Sequence, residues 1–138
     1  MKKHKLLFTI LFAVTSNLIF AQSSDVVRKY IDTYKNVAIA EEMRTGVPAA
    51  ITLAQGIHES GAGTSDLVLA SNNHFGIKCN GWNGPSVTHD DDAKNECFRK
   101  YEDPVASYKD HSDFLKNRPY YISLFQLDPT DYKAWAYS

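Results

Sequence analysis

The chain has 138 residues, of which 43% are hydrophobic, 12% aromatic and 22% charged, a composition typical of one globular domain. This composition excludes a collagen, a coiled coil and a disordered tail. Fifteen Lys and Arg residues against sixteen Asp and Glu residues give a net charge of −1, so there is no basic excess to neutralise a run of phosphates. We therefore expect no nucleic-acid partner.

The N-terminal segment has the pattern of a secretory signal peptide. Three lysines precede the apolar run at residues 6–14, and a second apolar patch ends at Ala21. A transmembrane helix needs about 20 apolar residues, but polar residues 15–17 interrupt this run. The sequence therefore predicts a signal peptide at residues 1–21 and an exported domain at residues 22–138, with a membrane anchor as the less favoured alternative.

Two helices are predicted at the start of the exported part. Apolar residues from Val27 to Met43 recur close to the helical period, which predicts an amphipathic helix ending at Gly46. Pro48 suits the first turn of a second helix, and the residues that follow are apolar nearly all round as far as Glu59. This second helix should be the buried one.

A short helix and a hairpin are predicted next. Gly61 and Gly63 end the second helix, and residues 65–70 favour a short third one. Residues 75–78 and 97–101 flank an interior rich in Gly, Asn, Pro and Asp. Two short strands joined by a long hairpin fit this pattern best.

The two cysteines, Cys79 and Cys97, stand at the two bases of this predicted hairpin. Export would place them in an oxidising compartment, where thiols pair. The sequence therefore predicts a disulfide that pins the hairpin, with two free buried thiols as the alternative.

The C-terminal third is predicted to be helical. Asp103 and Pro104 form a cap and first-turn pair for a helix that carries Leu115. Residues 120–125 and 131–135 indicate short helical pieces around a turn. No internal repeat or linker interrupts the chain, so we expect one mainly helical α+β domain.

Glu59 is the sharpest candidate for chemistry. It ends an apolar helix and is followed at once by Ser60-Gly-Ala-Gly63, so its carboxyl group is expected to be partly desolvated. Desolvation raises the pKa of a carboxyl group toward the operating pH, which is the condition that a general acid needs. A capping or salt-bridging glutamate is the alternative, and spacing alone favours it.

An acidic cluster at Asp90, Asp91, Asp92 and Glu96 lies in the predicted hairpin. A solvated loop tip is the default interpretation, because adjacent carboxylates repel one another least in water. A cation site is the second, since Asp90, Asp92 and Glu96 resemble a fragment of a calcium loop that lacks the full spacing and its central Gly. In the third, one aspartate faces Glu59 across a groove as the second carboxylate of a glycoside hydrolase.

Other kinds of site have little support. The histidines show no metal-ligand spacing, so we expect no zinc site and assign no metal ligands. No Gly-x-Ser-x-Gly elbow supports a nucleophilic triad. Some aromatic side chains could stack on sugar rings, although most in a chain this short belong to the core. The stacking candidates are Trp82, Tyr101, Tyr120, Tyr121 and Trp135.

Two stretches carry a specific combination of motifs. A helix end of the form Gln-x-x-x-Glu-Ser-Gly-x-Gly spans Gln55 to Gly63, and Asn-x-Phe-Gly-Ile-Lys spans Asn73 to Lys78. Cys97-Phe-Arg-Lys-Tyr101 and Tyr108-Lys-Asp-His-Ser-Asp-Phe-Leu115 follow. Together with the helix from Pro48, these stretches resemble the glycoside hydrolase family 73 endo-β-N-acetylglucosaminidases over almost all of residues 27–136.

The resemblance implies a lysozyme-like fold with the short hairpin on one side of a substrate groove. It also implies hydrolysis of the β-1,4 bond between N-acetylglucosamine and N-acetylmuramic acid in peptidoglycan, as in cell-wall autolysins. No cofactor is expected. The implied partner is the glycan strand in the periplasm or cell wall, bound by a monomer that is not inserted in a membrane.

The resemblance also implies site residues. It makes Glu59 the catalytic acid and places a second carboxylate on the hairpin, where matching does not separate Asp90, Asp91 and Asp92. We prefer Asp90. The residues expected to contact substrate are Asn73, His74, Phe75, Trp82 and Tyr101.

The chain departs from the family pattern at its end. Family members usually continue past the segment that matches residues 132–135 and supply a tyrosine beside the catalytic Glu. We therefore expect the domain at residues 22–138 to be truncated. Truncation makes a wall-binding module without turnover one alternative function. A lytic transglycosylase, a related class of enzyme that uses one catalytic Glu, is another.

Overall fold

A computed structural model of the chain describes the backbone of residues 2–138 and the side chains from Ser24 onward. Its elements are α1 (Lys2–Thr45), α2 (Ala49–Ser60), α3 (Asp66–Ser71), β1 (Ser86–His89), β2 (Glu96–Arg99), α4 (Pro104–Asn117), a 3₁₀ helix (Pro119–Gln126) and α5 (Tyr132–Tyr137). The predicted signal peptide, residues 1–21, falls outside the residues whose side chains are described. Within the described residues, no helix combines the length and apolar character that crossing a bilayer requires.

The helices predicted after residue 21 are confirmed, and local contacts explain where they begin and end. α2 starts directly after Pro48 and ends at Gly61, which takes the left-handed conformation with φ 57°. The side chain of Ser65 caps α3 by accepting a hydrogen bond from the backbone N–H of Val68. Asp103 caps α4 in the same way.

The core lies where α1, α2 and α4 meet. Residues from all three helices and from the loop before the hairpin form its centre, namely Ala38, Ala49, Phe75, Ile77 and Tyr108. A smaller cluster joins α2 to the C-terminal helices through Ile51, Leu124 and Trp135. The mainly helical α+β architecture is therefore confirmed, with α2 as the element shared by both clusters.

α2 is buried on one face only, which corrects the prediction that it is the buried helix. Thr52, Gly56 and Ser60 face the core and are buried, whereas Gln55 and Glu59 are exposed. The prediction relied on apolar residue types, but the exposed face includes alanines. Because hydrophobic stabilisation scales with apolar area, an alanine methyl group gives little reason for burial.

The hairpin begins later in the chain than the sequence predicts. β1 and β2 are antiparallel, with Ser86 opposite Arg99 and His89 opposite Glu96. The second predicted strand is confirmed with slightly different bounds, but the first, at residues 75–78, is wrong. Gly76 has φ 60°, which is outside the extended region, and only an isolated bridge from Lys78 to Phe98 remains in that stretch.

Cys79 and Cys97 form the predicted disulfide, with their Cα atoms 5.4 Å apart. The backbone N–H of Cys79 also donates to the carbonyl oxygen of Cys97 at 2.9 Å. The disulfide therefore ties the loop before β1 to strand β2.

Candidate active site

Glu59 lies where two clefts meet. The larger cleft has a volume of about 320 Å³ and the smaller one about 150 Å³. We call the larger one the helical cleft, and its lining residues are Gln55, Glu59, Phe75, Gly76, Ile77, Lys78, Asn80, His111, Phe114, Leu115 and Tyr121. The smaller one is the hairpin cleft, lined by Glu59, Ser65, Leu67, Gly76, His89, Asp91 and Phe98. A chain of sugars that occupied both clefts would pass over Glu59.

The side chain of Glu59 is exposed, which corrects the expectation that its carboxyl group is partly desolvated. The reason is its place on the open face of α2, one residue before the helix ends. On the other side, a Cβ atom added at Gly76 would lie 3.4 Å from Oε2 of Glu59, and the φ of +60° there also favours glycine. The loop at Gly76 therefore lies close to the carboxylate, which is otherwise exposed.

Asn73 holds this loop in place. Its Nδ2 donates to the carbonyl oxygens of Ile77 and Arg99, both at 2.9 Å, and its Oδ1 accepts from the N–H of Ile77 at 3.0 Å. The side chain is 1% exposed. These contacts favour a positioning role beside Glu59, and direct contact with substrate stays a prediction.

His74 belongs to a buried chain of hydrogen bonds. Tyr108 donates its hydroxyl hydrogen to the hydroxyl oxygen of Tyr30 at 2.8 Å, and that hydroxyl lies 2.8 Å from Nδ1 of His74. Burial lowers the pKa of His74 to about 4 and raises the pKa of Tyr108. His74 is 2% exposed, so protein atoms surround the side chain that was predicted to contact substrate.

The three predicted aromatic contacts lie in different surroundings. Phe75 lines the helical cleft and stacks on His111 with the ring centroids 3.9 Å apart. Tyr101 is 6% exposed, and burial raises the pKa of its hydroxyl group. Trp82 packs against Tyr101 at 5.9 Å, and the guanidinium of Arg99 lies 4.9 Å from its ring centroid. Of these three, only Phe75 lines the clefts beside Glu59.

The other three stacking candidates also lie in different places. Tyr121 lines the helical cleft, whereas Trp135 is buried in the smaller core cluster. Tyr120 is 80% exposed and packs edge-on against Tyr121. Tyr121 is therefore the member of this group that lies near Glu59.

The hairpin aspartates occupy three different environments. Asp91 lines the hairpin cleft together with Glu59. Asp90 uses Oδ1 to accept the backbone N–H of Asn95 at 2.7 Å, which braces the hairpin loop. Asp92 points its carboxylate at Lys78, 3.1 Å from Nζ. The structure thus brings Asp91, rather than the preferred Asp90, to the cleft that contains Glu59.

Lys78 resolves the repulsion within the acidic cluster. Its Nζ lies 3.0 Å from Glu96, 3.1 Å from Asp92 and 3.8 Å from Asp91. The carboxylate oxygens of these three acids lie within 4.8 Å of one another, so the ammonium is the cation to which they are paired. Its hydrogen bonds, first to Glu96 and then to Asp92, raise the pKa of Lys78.

Sequence reasoning did not single out Gln55 or His111 as site residues. Nε2 of His111 and Oε1 of Gln55 are 2.8 Å apart, and both residues line the helical cleft. Gln55 could have been found, because it precedes Glu59 by four residues and shares its helix face. His111 comes from α4, and no local pattern connects it to α2.

Comparisons with known proteins agree with this architecture. The family model described as mannosyl-glycoprotein endo-beta-N-acetylglucosaminidase matches residues 35–137. The exo-glucosaminidase LytG of Bacillus subtilis is 29% identical, and the match covers 83% of this chain but 49% of LytG. The chain thus spans about half the length of that relative.

Solved structures of peptidoglycan hydrolases and glycoside hydrolase domains have a fold similar to that of this chain. The glycoside hydrolase domain of FlgJ from Salmonella typhimurium matches with a TM-score of 0.63 and 25% identity, covering 73% of this chain and 67% of that domain. A mutant peptidoglycan hydrolase from Sphingomonas sp. A1 matches with a TM-score of 0.64 and 26% identity, covering 79% and 77%. The predicted lysozyme-like fold is confirmed by these neighbours.

Proposed function

The chain belongs to the glucosaminidase family, and on that basis we propose that it hydrolyses the β-1,4 bond between N-acetylglucosamine and N-acetylmuramic acid in bacterial peptidoglycan. The observation that carries the proposal is the position of Glu59 between two connected clefts. Sugar units can lie on both sides of the carboxyl group. That arrangement suits cleavage within a glycan strand rather than removal of a terminal unit.

Glu59 acts as the general acid in this proposal. Its carboxyl group donates a proton to the glycosidic oxygen as the bond to the anomeric carbon breaks, and water then adds to that carbon and releases a proton. A glycan that fills both clefts covers the open side of Glu59 and excludes water from it. Gly76 lies next to the carboxyl group on the other side, where a Cβ atom would come within 3.4 Å of Oε2.

Asp91 is the hairpin residue that geometry favours as the second carboxylate. It lines the hairpin cleft with Glu59 and lies 3.8 Å from Nζ of Lys78, whereas Asp90 binds a backbone N–H and Asp92 is hydrogen-bonded to Lys78 at 3.1 Å. A carboxylate there can stabilise the positive charge that develops on the sugar ring. Participation of the substrate's own acetamido group is the alternative to this role.

The proposed place of action is outside the cytoplasm. The signal-peptide pattern at residues 1–21 and the disulfide between Cys79 and Cys97 both fit an oxidising compartment. The proposed steps are proton transfer and charge stabilisation, which the side chains named above can supply.

Digestion of purified peptidoglycan with residues 22–138, followed by mass spectrometry, tests the proposal. We expect fragments that end in reducing N-acetylglucosamine and carry the mass of one added water per bond broken. Long soluble fragments early in the reaction would indicate cleavage within strands, and disaccharide units alone would indicate cleavage from an end. Anhydro-sugar products would identify a lytic transglycosylase instead, and binding without products would identify a wall-binding module.

A further inference from the structure

The helical cleft contains a polar pair next to Glu59 that acid catalysis does not use. Gln55 lies one turn before Glu59 on the open face of α2, and residues spaced in this way have Cβ atoms about 5–6 Å apart. Oε1 of Gln55 is 2.8 Å from Nε2 of His111. This contact sets the direction of the Gln55 amide group.

The protonation state of His111 follows from its surroundings. The side chain is 7% exposed, and burial lowers its pKa to about 4, so the ring is neutral near neutral pH. A carbonyl oxygen such as Oε1 only accepts, so Nε2 of His111 carries the hydrogen. Nδ1 then remains as an acceptor, buried and without a partner among the described residues. The other tautomer, with the hydrogen on Nδ1, would bury an unpaired N–H group. Such groups are rarer in proteins than unpaired acceptors.

Stacking on Phe75 also fixes the orientation of the His111 ring. Its ring stacks on Phe75 with the centroids 3.9 Å apart and an interplanar angle of 16°. With Oε1 of Gln55 engaged by His111, the Gln55 Nε2 group has no partner among the described residues. Two amide hydrogens are therefore available to a ligand in the helical cleft.

Part of the lining of the helical cleft is apolar. Phe75, Phe114, Leu115 and Tyr121 line the same cleft as Gln55. An N-acetyl group presents a carbonyl oxygen that accepts a hydrogen bond and a methyl group that favours an apolar surface. A cleft that holds both a free amide donor and aromatic side chains, one helical turn from the proposed acid, matches both features.

We propose that Gln55 donates a hydrogen bond to the N-acetyl carbonyl of the sugar unit in the helical cleft, and that His111 is the positioning residue that orients it. The methyl group of the same N-acetyl group then packs against the aromatic wall. This inference rests on the proposed function and adds the part of the substrate that is recognised beside the cleaved bond.

The first test compares glycan strands whose amino groups carry acetyl, carry formyl or are free. A formyl group keeps the carbonyl and loses the methyl, so it separates the two parts of the recognition. For the wild-type protein, we expect kcat/KM on the free amine to be about tenfold lower than on the acetylated strand, the value of one hydrogen bond. Gln55→Leu should lose a similar factor on acetylated and formylated strands but little further on the free amine.

His111→Phe extends the test, because it keeps an aromatic ring that can stack on Phe75 and has no nitrogen to bind Gln55. It should reduce the preference for acyl groups in the same way as Gln55→Leu, with unfolding free energy close to that of the wild type. His58→Gln is the matched control, since His58 is exposed on α2 and lines neither cleft. An equal loss on all three strands for Gln55→Leu would overturn the proposal.

A second measurement is independent of turnover. The side-chain amide of Gln55 can be followed by NMR in a Glu59→Gln variant during titration with N,N′-diacetylchitobiose or with its free-amine form. A shift of the Gln55 amide signals with the acetylated sugar alone supports the inference even if the proposed hydrolysis fails. Unchanged signals at saturation with the acetylated sugar would overturn it, whatever the activity.

Discussion

The two walls of the site are stabilised in different ways. The helical wall rests on buried packing: a Cβ atom at Gly56 would overlap the hydroxyl of Tyr30, so α2 lies directly against α1. The hairpin wall is mostly exposed, and a disulfide and the charges around Lys78 hold it in place. A residue on the helical wall is therefore positioned by the core, whereas the hairpin carboxylates depend on a crosslink and a lysine.

The largest effect is expected on the helical wall. Glu59→Gln removes the proton donor without changing side-chain volume, and loss of general acid catalysis costs roughly 10²–10⁴-fold in rate. Because Glu59 is exposed, the free energy of unfolding should change little. Release of soluble fragments and a denaturant titration measure the two quantities, and activity above a tenth of the wild type would remove Glu59 from the mechanism.

On the hairpin wall, three neighbouring carboxylates should behave differently. Asp91→Asn should lower the rate about 10²-fold if Asp91 stabilises the developing charge. Asp90→Asn and Asp92→Asn should stay within a few-fold of the wild type, because these residues brace the loop and pair with Lys78. The same assay with a chelator tests for a bound cation. Tolerance of all three substitutions would leave acetamido participation as the mechanism.

Loss of the crosslink should affect the hairpin more than the helices. Replacing Cys79 and Cys97 by Ser should lower the free energy of unfolding by about 3 kcal/mol, the value expected for a loop of this length. Urea titrations of the oxidised wild type and of the double variant measure this difference. Reductant should destabilise the wild type and leave the variant unchanged, and an equal response of the two proteins would contradict the prediction.

Lowering the pH should lower the free energy of unfolding through two buried histidines. His74 and His111 are buried with pKa values of about 4, below the ordinary value of 6.5, so the unfolded chain binds more protons between these two values. Their contribution to stability is complete above about pH 6.5 and falls as the pH approaches 4, by about 2 kcal/mol per histidine at pH 5. Thermal or urea unfolding across this range measures the slope.

The same measurement on a variant shows how much of this pH dependence comes from His111. His111→Phe should remove roughly half of the pH-dependent part of the free energy of unfolding. A slope that stays the same in His111→Phe would contradict the assignment.

Local signals predicted much of the architecture. The caps at Ser65 and Asp103 depend on contacts within four residues, and the helix ends there were predicted correctly. The pairing of Cys79 with Cys97 followed from the small number of cysteines and their places around the hairpin. The strand at residues 75–78 was wrong because a buried asparagine, Asn73, closes that stretch into a loop through a partner from β2.

The sequence by itself determined the helical class and the disulfide, since periodicity is a property of neighbouring residues and two cysteines allow one pairing. The motif at the end of α2 predicts Glu59 as the acid. Only the tertiary structure decided that Glu59 is exposed between two clefts, that Asp91 shares one of them, and that Gln55 meets His111. The physical reason is that these relations join α2 to the hairpin and to α4. Which residues of distant elements meet is set by how the core packs, and no local pattern records it.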